Sequence, residues 1–346
     1  FLDIDAAAGR QPGERWKGAL RDANARCEAV VCLLSPNWAA SHECKVEYRF
    51  AEHLNKQILC ARLAPSSADD LTTEWYRFDL FGDGAVTAVD AQGGPPVEFA
   101  TDGLFRLRDV IRGAGIGAQS FVWPPREDPT RAPYRGWQPF EPQDAAVFFG
   151  RDSAIISALD ELRGMRQSGV KSLFVVLGPS GAGKSSFLRA GVMPRLARDD
   201  RSFVVLGIVR PGRSPLTGDT GLAASISTAR QRLGLTTPSL GDIKAACSFD
   251  PPRVRQLLAE IQHAAAVRLP ADDQSENPAP PTLILPVDQA EELFGSDLGA
   301  ESEQFLSFIG HEHGLAVAAT IRTDRYEMMQ THDALASLNT RVLDDL

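Results

Sequence analysis

The chain has 346 residues, 43% of them apolar, a net charge of −9 and five cysteines. That length points to about two domains, each able to bury an ordinary core. The acidic balance argues against a general nucleic-acid or anionic-membrane surface, and the apolar runs AVVCLL and SLFVVLG are far too short to span a bilayer.

No secretory signal is legible. An odd cysteine count without a CxxC pair argues against a disulfide framework or a zinc site. The reading is a reduced, cytoplasmic protein.

Residues 1–62 alternate between strand and helix signals. FLDID reads as a strand, and residues 12–25 read as a helix with Pro12 near its first turn, where a missing N–H costs nothing. AVVCLLS is a continuous apolar run, as expected of a strand buried on both faces. Ser41 is placed to cap a helix from about His42 to Lys56, whose periodicity puts Val46, Phe50 and Leu54 on the buried stripe and Glu47 on its flank, and QILCARL is a further strand. This βαβαβ order predicts a parallel sheet. Residues 63–100 are loop-rich, and TDGLFRLRDVIRGAG reads as a helix stopped by glycines.

Residues 119–145 hold six prolines, too many for a helix or a central strand. They are expected to link two domains, partly docked through Phe121, Trp123, Tyr134, Trp137 and Phe140. From Val147 the pattern resumes: a helix at about 152–165, the strand SLFVVLG, the helix KSSFLRAGVMPRL, the strand SFVVLGIV and the helix PPRVRQLLAEIQHAAAV. A disordered-looking loop, PADDQSENPAPP, precedes the strands TLILPVD and LAVAATIR, with a helix at about 300–310 between them. This is a second parallel α/β domain. The chain opens without Met in a strand-like run and ends in RVLDDL with no stop signal for the preceding helix, so a piece of a longer protein is expected.

Residues 178–185, GPSGAGKS, fit the phosphate-binding pattern G-x-x-x-x-G-K-[ST] in full. A strand runs in and a helix runs out, so backbone N–H groups can curl around phosphates at a helix N-terminus. Gly178, Ser180, Gly181, Gly183 and Ser186 are expected to frame the nucleotide. Lys184 supplies a point charge to the β- and γ-phosphates, and Ser185 a hydroxyl for Mg²⁺. About a hundred residues on, LILPVD ends an apolar strand in Asp288, the acid expected in the Mg²⁺ shell. Glu291 or Glu292 then orients the attacking water, with Glu291 carried forward as the catalytic carboxylate. Arg322, at the end of the next strand, is placed to sense the γ-phosphate. Pro286 is awkward, because it removes a ladder donor from a strand expected to be central.

PYRGWQPFEPQDAAVFFGRD, the phosphate loop, LILPVDQAEELF and TIRTDRYE together resemble a STAND-type signalling NTPase over about residues 133–346. The resemblance implies that Gly150 to Asp152, in FFGRD, line the adenine side, with Arg151 the residue to watch. It implies an ATP- and Mg²⁺-dependent switch that clusters on a trigger, sensed by a region C-terminal to these residues.

The segments FLDIDAAAGRQPGERWKGAL, VVCLLSPNWAASHECKVEYRFA and QILCARL resemble a bacterial TIR domain over about residues 1–118. That family has a flavodoxin-like sheet, whose first strand and helix would lie upstream of Phe1. Many of its members cleave NAD⁺ with the glutamate of a Ser-x-Trp-Cys-x-x-Glu pattern. Here the pattern runs from Ser41 to Glu47, so Glu47 takes the catalytic position, while Glu43 stands where tryptophan is usual.

The fold expected is thus two parallel-sheet α/β domains: an N-terminally incomplete TIR domain (1–118), a Pro-rich linker (119–145) and a P-loop NTPase domain (146–346). The function implied is an ATP-switched homo-oligomer whose TIR domains cleave NAD⁺ in antiviral defence, without nucleic acid or membrane. The alternatives are a non-catalytic TIR adaptor and a plain ATPase acting on a client.

Overall fold

The structure, a computed structural model, describes residues 23–24, 26–65, 71–72, 75, 77–90, 95–115, 117–118, 121–169, 172–268, 280–295, 299–311 and 314–344. The strand expected at 1–5 and most of the helix expected at 12–25 and of the loop expected at 270–281 lie outside the described residues. Contact density divides the chain into two units, Phe1–Ile116 and Gly117–Leu346.

In the first unit, β1 (Ala29–Leu34), β2 (Gln57–Arg62) and β3 (Arg77–Asp79) form a parallel sheet in that order. Parallel neighbours need a crossover, and between β1 and β2 it is made by α1 (Pro36–Ala40) and α2 (His42–His53). The Ser41 side chain caps α2 by accepting the Cys44 N–H at 3.3 Å. An antiparallel hairpin, β4 (Val86–Val89) with β5 (Val97–Ala100), leads into α3 (Thr101–Ala114). Gly103 lets α3 approach β3, since a Cβ there would sit 2.0 Å from the Asp79 carbonyl oxygen.

The stripe expected to be buried on α2 was Val46, Phe50 and Leu54; the structure corrects it. Val46 is 46% exposed, and Tyr48 and Ala51 are the buried positions. Polar satisfaction decides the face. The Tyr48 hydroxyl accepts from Trp75 Nε1 at 2.8 Å and lies 3.1 Å from Glu52 Oε1 and 3.2 Å from the Leu71 carbonyl oxygen. The Tyr48 ring also meets Trp38 edge-on at 6.1 Å.

The second unit opens with the Pro-rich residues, whose described part packs onto it. The Arg131 guanidinium pairs with the fully buried Asp144, and Phe121 lies under the guanidinium groups of Arg195 and Arg198. A 3-10 turn, Pro142–Val147, precedes α4 (Asp152–Ser168). Next come β6 (Ser172–Gly178), a helix α5 that begins at Lys184, β7 (Phe203–Val205), α6 (Leu222–Arg232), α7 (Leu240–Phe249) and α8 (Pro251–Arg268). Then follow β8 (Thr282–Val287), α9 (Ala300–His311), β9 (Leu315–Arg322), the short α10 (Tyr326–Gln330) and β10 (Asn339–Leu343).

The sheet is parallel in the order β10-β6-β9-β8-β7. β6 is buried at every position and β9 at all but its last, which explains their unbroken apolar runs. The C-terminal residues, expected to continue a helix, instead form β10 against β6. The β-branched Thr340 and Val342 suit a strand there.

The strand expected over 202–209 keeps its ladder only to Val205, with one isolated bridge at Val209. The gap lies beside Pro286. In a parallel strand the N–H and C=O of one residue point the same way. The Pro286 carbonyl accepts from Val209 N at 2.8 Å on the β7 side, so its missing donor also faces β7. The β7 ladder ends at this point, after Leu206 N donates to the Ile284 carbonyl at 2.9 Å, so the proline sits where the regular pairing stops.

Helix α5 runs as α over Lys184–Ser186, as π over Phe187–Val192 and as α again over Met193–Leu196. Pro194 has no N–H for the carbonyl of Ala190. Arg195 fills that role from its side chain: Nη1 donates to the carbonyl oxygens of Ala190 at 2.8 Å and Gly191 at 2.7 Å.

Candidate nucleotide site

Parallel pairing brings the C-terminal ends of β6, β9 and β8 to one edge, where ligands bind in open α/β sheets. Gly178 is in register with Arg322, and Val287, just before Asp288, with Ala319. The phosphate loop, Asp288 and Arg322 are therefore neighbours because β9 lies between the other two strands.

The loop has the backbone that its glycines allow. Gly181 and Gly183 take φ of +82° and +88°, values that L side chains rarely adopt, and a Cβ at either would face open space. Lys184 is buried, and its Nζ donates to the carbonyl oxygens of Gly178 (2.9 Å) and Pro179 (2.8 Å). Burial holds its pKa below the usual lysine range; Glu291 opposes that shift and Arg322 adds to it.

Asp288 is 1% exposed and fully engaged. Its Oδ1 accepts from Ser185 Oγ at 2.8 Å and from Thr320 Oγ1 at 2.7 Å. Its Oδ2 accepts from Arg189 Nε at 2.9 Å. The expected pairing of Ser185 with Asp288 is thus in direct contact. The Thr320 hydroxyl also accepts the Gln289 N–H at 2.8 Å. Gln289 sits at φ 59°, ψ 52°, a left-handed turn that starts the 3-10 segment Ala290–Phe294.

The two glutamates of that segment have different surroundings. Glu292 accepts from the Gly212 N–H at 2.8 Å and lies 3.4 Å from Arg210, so it pins the loop after β7. Glu291 Oε2 is buried and has no hydrogen-bond partner among the described residues. A buried carboxylate oxygen left open beside Lys184 fits a group that takes a ligand or a water.

The other expected residues are less converged. Arg322 is 43% exposed and makes a two-point contact with Asp324, at 3.0 and 2.8 Å. Ser186 accepts the Phe140 N–H at 3.0 Å, so its hydroxyl seats the preceding segment. Ser180 is exposed on the loop. Arg151 stands at the N-cap of α4 beside Gly150, whose φ is +81°. Arg189, Thr320 and Glu141 were not expected. Arg189 lies four residues after Ser185, on the same helix face, and Thr320 is a polar residue in a buried apolar strand. Those two patterns are the signals that could have found them.

In the first unit Glu47 is half-buried, on the flank of the face formed by Tyr48 and Ala51, and Glu43 is half-buried one turn earlier. All five cysteines are free thiols. Among the described residues no helix is long and apolar enough to cross a membrane.

No curated protein matches this chain. Among solved structures it is similar to a Walker-type ATPase of Pyrococcus abyssi, with 15% identity and a TM-score of 0.35. That alignment covers 61% of this chain, which spans 57% of the length of the other. A family model described as Novel STAND NTPase 1 matches residues 133–344. These residues include every member of the phosphate-loop site and make up more than half of the sequence, so the chain belongs to the Novel STAND NTPase 1 family.

Proposed function

We propose that the second unit binds ATP with Mg²⁺ as a conformational switch. The observation that carries this reading is the 2.8 Å hydrogen bond from Ser185 to Asp288, beside a Glu291 oxygen with no partner among the described residues. Ser185 and Asp288 offer oxygen donors, the set that Mg²⁺ prefers. A bound Mg²⁺ neutralises charge on the β- and γ-phosphate oxygens.

The chain's own groups do the rest. Lys184 leaves the Gly178 and Pro179 carbonyls and turns to the phosphates. Glu291 holds the attacking water and takes its proton. Arg322 exchanges Asp324 for the γ-phosphate and so reports its presence. Gly178, Ser180, Gly181 and Gly183 supply the loop, and Arg151 flanks the base. Calorimetry tests this reading: the parent binds the Mg²⁺ complex of a non-hydrolysable ATP analogue and Lys184→Ala does not. Equal binding by both would overturn it.

The finer reading concerns the first unit. We propose that it is a TIR effector in which Glu47 promotes cleavage of NAD⁺ when chains cluster. The Ser41-to-Glu47 pattern and the parallel sheet support this. The nicotinamide–ribose bond breaks with its electron pair going to the nicotinamide, which leaves neutral and needs no general acid. The Glu47 carboxylate stabilises the oxocarbenium-like ribose until water, or a nucleophile of the dinucleotide itself, bonds to its C1′, the water losing a proton to solvent. A trigger sensed elsewhere, self-association and an antiviral role belong to the same proposal.

Glu43 in the usual tryptophan position favours a second reading, a TIR adaptor that only recruits partners. Nicotinamide release with ATP and Mg²⁺, in the parent and in Glu47→Ala, separates the two. Release by the parent alone supports the enzyme; release by neither when clustered supports the adaptor.

A further inference from the structure

One side chain at the centre of the site lies outside the phosphate-loop roles. The Arg189 guanidinium spans two carboxylates from distant parts of the sequence. Nε and Nη2 lie 2.9 and 2.8 Å from Asp288 Oδ2, and Nη1 donates to Glu141 Oε1 at 2.7 Å. Asp288 is 1% exposed, Arg189 15% and Glu141 33%, so the interaction is only weakly screened. The same two segments meet again one residue away, where the Phe140 N–H donates to Ser186 Oγ. Glu141 in turn begins the 3-10 turn that carries the buried Asp144, whose carboxylate accepts the Glu141 N–H at 2.7 Å.

Charge counting gives this bridge a direction. Two carboxylates share one cation, so each is only partly compensated. A divalent cation at Asp288 compensates that carboxylate more fully and repels a guanidinium already within 3 Å of it. Arg189 is then left to Glu141 alone, as a shorter-range and undivided pair.

We infer that Arg189 is a positioning residue that couples the metal-binding carboxylate to the 133–147 segment. Without metal it is divided between Asp288 and Glu141. Metal uptake drives it onto Glu141 and tightens the docking of that segment. The inference rests on the reading of Ser185 and Asp288 as the metal-binding pair.

The test is limited trypsin digestion of the full chain, with cleavage after Arg126, Arg131 and Arg135 followed by mass. The probes are a non-hydrolysable ATP analogue with magnesium chloride and the same analogue with a chelator. In the parent, magnesium slows these cleavages about tenfold, the scale of one charge-assisted hydrogen bond. Glu141→Gln still binds the magnesium complex by calorimetry but loses the protection. Arg189→Met also loses it, since no cation remains to move onto Glu141. Undiminished protection in Glu141→Gln would overturn the coupling, as would binding by the parent without protection. A parent that binds no magnesium complex would instead overturn the reading of the site, and the coupling with it.

Discussion

Thr320→Val removes one oxygen, which strands the Gln289 N–H and takes one hydrogen bond from Asp288. In the parent that oxygen donates to the Asp288 carboxylate at 2.7 Å and accepts the Gln289 N–H at 2.8 Å, and Thr320 is 1% exposed. A hydrogen bond to a charged group contributes about 1.5–3 kcal/mol, and a buried donor left unmet costs about 1–3 kcal/mol. The two share one atom and do not simply add, so a loss of about 3 kcal/mol is expected. Valine fills nearly the same space, which leaves little cavity term. Thr320→Ser keeps the oxygen and deletes one methyl, for a loss of about 1 kcal/mol. Because a chain of two units need not unfold in one step, the assay is hydrogen exchange of peptides from β8 and β9, which reads their opening free energy directly. The valine variant should also weaken magnesium–nucleotide binding, since the left-handed Gln289 loses its restraint and Glu291 follows it. A serine variant less stable than the valine one would refute the reasoning, because methyl packing and not the hydroxyl would then govern the site.

Two further outcomes follow from the same geometry. Arg195→Met keeps the stem that packs in the core but abandons the carbonyls of Ala190 and Gly191, so a loss of about 2–4 kcal/mol is expected in hydrogen exchange of α5 peptides; a change under about 0.5 kcal/mol would mean that Arg195 supports nothing. Burial raises the Asp144 pKa, but hydrogen bonds from Arg131 and the Glu141 N–H outweigh it and hold the group below the usual carboxylate range. A depressed folded pKa contributes stability in full above the unfolded pKa of about 3.9 and loses it as pH falls through the folded value. The Tm gap between the parent and Asp144→Asn should therefore hold from neutral pH to about pH 4 and close only below it. Closure already near pH 6 would contradict the assignment.

The phosphate loop was legible because its chemistry is local: the glycines, Lys184 and Ser185 lie in one short run whose backbone needs those residue types. Asp288 was legible because an acid ends an apolar strand. Arg189 and Glu141 were not, since their pairing depends on where residues 140–147 fold back onto α5, and no periodicity encodes that return. The periodicity of α2 favours Val46, Phe50 and Leu54, whereas Tyr48 is buried through partners at Leu71 and Trp75 far along the chain. The helix α7 carries a local start signal, Ser239 with Asp242 three residues on. Pro286 raised the right objection to a central strand, and the answer lay in the neighbouring strand, which breaks where the donor is missing.

The π turn in α5 has the character of a one-residue insertion lodged in the helix. It absorbs the extra residue by unwinding locally, so the residues beyond it keep the faces that a regular helix would give them. Leu196 is fully buried and Arg195 lies on the Phe121 ring in that register. Removing one residue between Phe187 and Val192 is therefore expected to regularise the helix with Leu196 and Arg195 still facing the core.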